Sequence, residues 1–178
     1  QVADMQVQAL QSDWLTEIAR GLWQPPTATE RTQRLYMLDR QVALLRAAVA
    51  VFDRNPRANL ELSQAADEAS GAYQQLARQA QDSANQLAAQ AKIASAEQQR
   101  QLTESAERLR RMGDEADRRA GELRATMVEA LARYVAQRPA DVQAWQSLLR
   151  LQMTALQTVN ERIDYLNAQL AKLPTTAP

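Results

Sequence analysis

Residues 57–138 contain no proline and only three glycines, Gly71, Gly113 and Gly121. The run is built mostly of Ala, Gln, Glu, Arg and Leu, all strong helix formers. Unbroken, it makes one helix of roughly 120 Å at about 1.5 Å per residue, far longer than an ordinary globular helix. No stretch of the chain alternates with period two, so no strand is expected. The expected fold class is all-α: an antiparallel helical bundle with coiled-coil packing around one long helix or helical hairpin.

Prolines and capping residues divide the rest. Pro25 and Pro26 end a first helix over residues 3–22. Thr27 and Glu30 have capping-box spacing and open a second, over 28–52. Asp53, Arg54, Asn55 and Pro56 form a tight turn, with Asn55 as N-cap and Pro56 in the first helical position. The long helix follows over 56–138, and Pro139 can open a last helix over 140–173. Residues 1–173 are read as one elongated domain and 174–178 as a disordered tail.

Apolar residues step by three and four, the spacing of a left-handed supercoiled interface. Leu35, Leu38, Val42, Leu45, Val49 and Phe52 do so in the second helix. In the last, Val142, Trp145, Leu149, Gln152, Leu156, Val159, Ile163, Leu166, Leu170 and Leu173 do. In the long run, Leu102, Ala106, Leu109, Gly113, Ala116, Ala120, Leu123, Met127, Ala130 and Tyr134 fill one register. Ala77, Ala80, Ala84, Leu87, Ala91 and Ala94 fill another, offset by one residue between Ala94 and Leu102. Alanine seats bury little surface, so residues 77–101 should be the weakest part of the run. One long helix, continuous though bent, is the favoured reading. The alternative is a break within 82–113, at Asp82-Ser83-Ala84-Asn85 or at Met112-Gly113-Asp114.

Composition narrows the chemistry. The chain has neither His nor Cys, which removes Ser-His-Asp and Cys-His catalysis and imidazole- or thiolate-based Zn, Fe–S and haem sites. No Asp-rich loop with a turn glycine offers a Ca site. Neither catalytic residues, metal nor cofactor is expected, and the chain is not expected to be an enzyme. Charge balances at 21 acids and 21 bases. It also balances within residues 1–56, 57–138 and 139–178, so neither nucleic acid nor an anionic membrane is an expected partner. The longest purely apolar stretch, 47–52, is far short of a span.

Arg dominates the bases, with only Lys92 and Lys172 as lysines, a bias suggesting a GC-rich bacterial genome. Gln1 is read either as following a removed secretory signal or as an arbitrary cut. A cysteine-free chain suits an oxidising compartment, so a periplasmic or secreted location is expected, with the cytoplasm as the alternative.

Candidate contact residues follow from the weak seam. The face made by Ala77, Ala80, Ala84, Leu87, Ala91 and Ala94 is small and little charged, and is read as a surface for a protein partner or for self-association. Trp23, beside two prolines, is either a recognition residue or a plug for the bundle end. Trp14 and Trp145 are read as large anchors. Gln152, the polar seat of the last seam, is a candidate for setting register; Asn160 and Asn167 flank it. Glu104/Arg108, Glu107/Arg111, Asp114/Arg118 and Glu115/Arg119 have ion-pair spacing on an exposed face. The role that fits is a scaffold or adaptor working through protein contact in the bacterial envelope or a secretion assembly. The alternatives are a ligand-sensing bundle cut from a receptor and an amphipathic surface-coat protein.

Overall fold

The computed structural model describes residues 2–21, 31–154 and 159–170; residues 31, 32, 159, 160, 162 and 170 are described in backbone only. The described residues form six helices and no strand: α1 (Val2–Gly21), α2 (Arg31–Val51), α3 (Pro56–Ala91), α4 (Ala96–Gln137), α5 (Val142–Thr154) and α6 (Val159–Leu170). They pack as an all-α bundle. The Thr27/Glu30 capping box, Trp23 and the tail 174–178 lie outside the described residues.

The turn between α2 and α3 forms as its sequence predicts. Asn55 has extended backbone, φ −80° and ψ 103°, and its Oδ1 accepts from Ala58 N at 3.1 Å, with Pro56 opening α3. Pro56 has no N–H to satisfy there and a φ already suited to the first turn. α2 then lies back on α3. Leu38, Val42, Leu45 and Val49 are buried and Leu35 and Phe52 half-buried, the edge its spacing predicts. These side chains meet Ala19 of α1, Ala58, Leu62, Ala65 and Ala69 of α3, and Leu123 and Ala130 of α4 in one core. Each Leu or Val shut away there contributes roughly 1.5–3 kcal/mol before entropy is subtracted.

The long run does not pass straight through. The chain turns at residues 92–95 and doubles back as a hairpin, whose arms meet at Asp53/Gln137, Ser70/Ala120 and Ala77/Gly113. Neither 82–85 nor 112–114 is the break; both lie within helices. Lys92 N–H bonds to Ala89 O at 3.3 Å and Ile93 N–H to Gln90 O at 3.2 Å, tightening the last turn of α3. Ser95 then takes extended backbone, φ −64° and ψ 159°, and the Gln98 side chain reaches back to it. The sequence signal for this start is Ser-x-x-Gln, a capping box. The turn needs neither glycine nor positive φ. The one-residue offset between the two apolar registers falls at this turn, so each register belongs to its own helix.

The arms close on small residues. Ala106, Gly113, Ala116 and Ala120 are buried on α4, and Ala80, Ala84 and Ala91 on α3. At Gly113 a β-carbon would sit 3.3 Å from the Ala77 carbonyl oxygen and 3.4 Å from Ala80 Cβ. The absent side chain is what allows that approach.

After Gln137 the chain turns through Pro139 and Ala140, and α5 starts at Val142 rather than at Pro139. Its cap is Asp141, whose Oδ1 accepts from Ala144 N at 3.0 Å. The predicted seam of the last helix is turned by about one residue. Ala144 and Leu148 are the buried positions and pack with Leu131 and Val135, while Trp145 and Leu151 lean on the same cluster. Val142 and Ile163, both predicted seam residues, are exposed. The capping and tyrosine bonds to Asp141 rotate α5 so that its 144/148/151 edge, not 142/149, faces α4.

The glycines separate packing from propensity. A β-carbon added at Gly121 would meet nothing within 4 Å, so Gly121→Ala should gain up to about 1 kcal/mol of stability. Gly113→Leu should lose about 1–3 kcal/mol by forcing the arms apart. Urea unfolding of both variants checks the pair, and equal effects would contradict the close approach.

Candidate functional site

Three features stand out among the described residues: a polar lock at the base, the hairpin arm beyond the start of α2, and an outward apolar face on α1.

The lock is centred on Asn55. Besides capping α3, its Nδ2 donates to Ser12 Oγ at 3.0 Å and Asp13 Oδ1 at 2.8 Å on α1. The inner face of α1 is accordingly small and polar. Ser12, Thr16 and Ala19 are its buried residues, and Thr16 Oγ1 returns a bond to Ser12 O at 2.8 Å. Small groups let α1 come close while the amide supplies the bonds that buried hydroxyls require. Asn59 donates to Asp53 O at 2.8 Å and Asn55 O at 2.9 Å, and Gln137 Nε2 donates to the same Asp53 carbonyl at 2.8 Å. Arg57 pairs with Glu17 and Glu61, and Arg20 with Glu61, fastening the rim of the same contact.

Higher up, Tyr73 of α3 donates its hydroxyl to Asp39 Oδ2 of α2 at 2.5 Å, and Arg119 of α4 donates to Asp39 Oδ1 at 3.1 Å. Arg119 also reaches Glu122, and Arg118 pairs with Glu115 and Glu122. Of the expected ion pairs, Glu104/Arg108 and Glu107/Arg111 form. Arg118 and Arg119 choose other acids, because Asp39 on a neighbouring helix competes for Arg119. Partial burial, then the bond to Asp39, pushes the Tyr73 hydroxyl up from 10 to about 12, with Arg119 opposing.

The face predicted to receive a partner receives α4 instead. Ala80, Ala84 and Ala91 are buried, and Ala77, Leu87 and Ala94 are half-buried; Ala77 and Ala80 lie against Gly113. Their small size serves the hairpin itself. Gln152 is half-buried on α5, one turn beyond Leu148 on the same edge, and Asn167 is exposed. Trp14, read as an anchor, is 66 % exposed. It belongs to the outer face of α1 with Val7 and Leu10, which are also exposed. The signal for that inversion was present in the sequence: Ser12, Thr16 and Ala19 are spaced as a second, small face opposite the large one.

A surface cleft of about 550 Å³ lies beside the lock, between Pro56, Leu60, Tyr134, Arg138 and Ala140, with Gln137 on its wall. Tyr134 donates to Asp141 Oδ2 at 2.8 Å there. The Ala144 backbone N–H, then the Tyr134 hydroxyl, hold the Asp141 carboxyl below its usual range. Gln137 Oε1 and Asn59 Oδ1 are buried without a hydrogen-bond partner. Among the described residues no cluster of three or more acidic side chains could hold a metal, and no helix is long and apolar enough to cross a membrane.

Two measurements follow. Asn55→Ala removes a cap and leaves Ser12 unpaired, so it should lower stability by about 2–3 kcal/mol and loosen α1 first; hydrogen exchange that stays slow in residues 12–19 would contradict this. Tyr73 favours its neutral form in the fold. Its stabilisation is therefore whole below pH 10 and is lost as pH rises through about 12. In an alkaline tyrosinate absorbance titration, Tyr73→Phe should remove the last-ionising component; an unchanged profile would rule that assignment out. Comparison with protein families, curated proteins and solved structures finds no match to this chain.

Proposed function

We propose that the chain is a non-enzymatic scaffold or adaptor that acts through protein–protein contact, with its hairpin serving as an antiparallel coiled-coil arm. A bacterial envelope or secretion assembly is the setting that suits its composition. One observation carries the reading: the arm outreaches its support. Asp39 of α2 bonds to Arg119 and Arg46 to Thr126, a constant offset that puts residue 31 level with Arg111. From there to the tip α3 and α4 continue beyond α2 for about 20 Å. The tip turn presents Ile93, 90 % exposed. Ion pairs run along the outer face of α4, from Arg100 through Glu104 to Arg108 and from Glu107 to Arg111. They stiffen the arm slightly, by about 0.2–0.5 kcal/mol each, and the exposed side of α3 carries amides around two charges, Arg78 and Asp82.

A second reading, ligand sensing, draws on the unpartnered Gln137 Oε1 at the wall of the basal cleft. Such an acceptor suits a ligand N–H or O–H. The cleft is open and its lining mainly apolar, which favours the scaffold.

A photoreactive residue at Ile93 in source cells tests the proposal. It should give one defined protein adduct, and Ile93→Glu placed beside a reactive residue at Ala94 should remove that adduct without shifting the melting temperature. An arm that gives no adduct, or the same adducts as a probe at Arg54 on the base, would sink it.

A further inference from the structure

We propose that two copies of the chain associate side by side and in parallel through the outer face of α1, with Val7, Leu10 and Trp14 each meeting its counterpart across a two-fold axis. The inference rests on the reading that the chain works by protein contact, and names one of its partners as itself.

The first observation is orientation. At about 100° per residue, the buried positions Ser12, Thr16 and Ala19 lie on one side of α1, and Val7, Leu10 and Trp14 on the opposite side. These three are 53 %, 70 % and 66 % exposed. Together they offer on the order of 400 Å² of apolar surface, within the size of patch that marks an interaction site on a monomer. The second observation is support. Of residues 2–10, all are exposed except the half-buried Ala9. The neighbours the segment does have lie on its inner side, where Met5 and Gln8 border a cleft with Val49, Phe52, Arg54 and Arg133.

The pattern identifies the occupant. Ala3, Val7, Leu10 and Trp14 step by four, three and four. That makes Val7 an a position and Leu10 a d position, the β-branched-a, leucine-d arrangement that favours parallel two-stranded pairing. The flanking positions that would face each other across such a pair are Gln6 and Gln11, two amides able to bond to one another without like-charge repulsion. The charges of the inner half of α1 are turned elsewhere: Asp13 to Asn55, Glu17 to Arg57 and Arg20 to Glu61. Asp4 lies about a quarter-turn off the stripe. From Ala3 to Trp14 the outer stripe thus carries no charge to select an oppositely charged partner; its next seat, Glu17, is paired with Arg57. It also lacks the basic flank that an amphipathic helix uses on an anionic membrane. Even with the amides as rim, the pair stays below the roughly 800 Å² per partner of a standard specific interface, which is why its association is placed in the micromolar range. Because the face points away from α2 and α3, two bodies fit on opposite sides of the paired helices.

Sedimentation equilibrium of the chain, with and without Leu10→Glu, tests the association. A dimer should form in the micromolar range and weaken by about 100-fold in Leu10→Glu, with the helicity and melting of the dissociated monomer, read at low concentration, unchanged because Leu10 is largely exposed. The chain has no cysteine, so Val7→Cys and Trp14→Cys, made one at a time, report orientation directly. Parallel pairing brings like thiols together in both variants and gives a disulfide-linked dimer under mild oxidation, whereas an antiparallel pair crossing at Leu10 sets Val7 against Trp14 and links neither; Ile93→Cys stays monomeric on a non-reducing gel. A chain that remains monomeric at ~100 µM, a dimer indifferent to Leu10→Glu, or failure of either end-seat cysteine to cross-link overturns the proposal, as does flotation with neutral vesicles that needs the same three side chains. Persistence of the Ile93 adduct in a strictly monomeric chain would remove the dimer and leave the scaffold reading standing.

Discussion

The helices at the base of this fold meet at one amide. Asn55 ends the turn after α2, caps α3, and donates to Ser12 and Asp13 of α1. A carboxylate could accept at the cap but could not donate to Ser12 and Asp13. A hydroxyl could not reach both helices. Only a side chain with an acceptor and a two-hydrogen donor joins three elements from one position. Pro56 behind it removes the N–H that would otherwise compete, so the turn, the entry of α3 and the docking of α1 are one event.

Above that lock the molecule changes character. The core of Leu38, Val42, Leu45 and Val49 against α3 and α4 is ordinary large-residue packing. Beyond Tyr73 and Arg119 the seam becomes alanine and glycine. Little apolar surface is gained per residue there, but the helices come close and stay slender. The ties among Asp39, Tyr73 and Arg119 sit where one regime gives way to the other. They tie α2 to both arms, and Arg34, over a turn nearer the tip, adds a bond to Glu68 at 2.8 Å. A thick, well-buried foot and a thin projecting limb are thus consequences of side-chain size along two helices.

How much of this the sequence displays depends on whether size or sign carries the signal. The buried edges of α2 and α4 are legible because every third or fourth residue is apolar in turn. The cap at Asn55 is legible because Asn-Pro has few other uses before a helix. The break at 92–95 is not, because Lys92, Ile93 and Ala94 are all acceptable in a helix and the only mark is Ser95 three residues before Gln98. The face from Ala77 to Ala94 reads as an unfilled surface because alanines look the same whether they await a partner or already have one; Gly113, facing them, settles it. α1 misleads most. Trp14 and Leu10 draw the eye inward, whereas Ser12 and Thr16, carried by Asn55, are the residues inside. In α5 the apolar stripe is wide, and its capping bonds, not its hydropathy, choose which edge turns in.

The tip has a consequence of its own. Its turn is built from local backbone bonds and one Ser–Gln cap, far from the bonds that close the foot. Inserting or deleting a matched heptad in both limbs would keep every seat in phase and leave the basal lock untouched, moving Ile93 by about 10 Å per step. The length of the limb is thus separable from the contacts that hold its foot, and small in-phase duplications would change its reach in fixed increments.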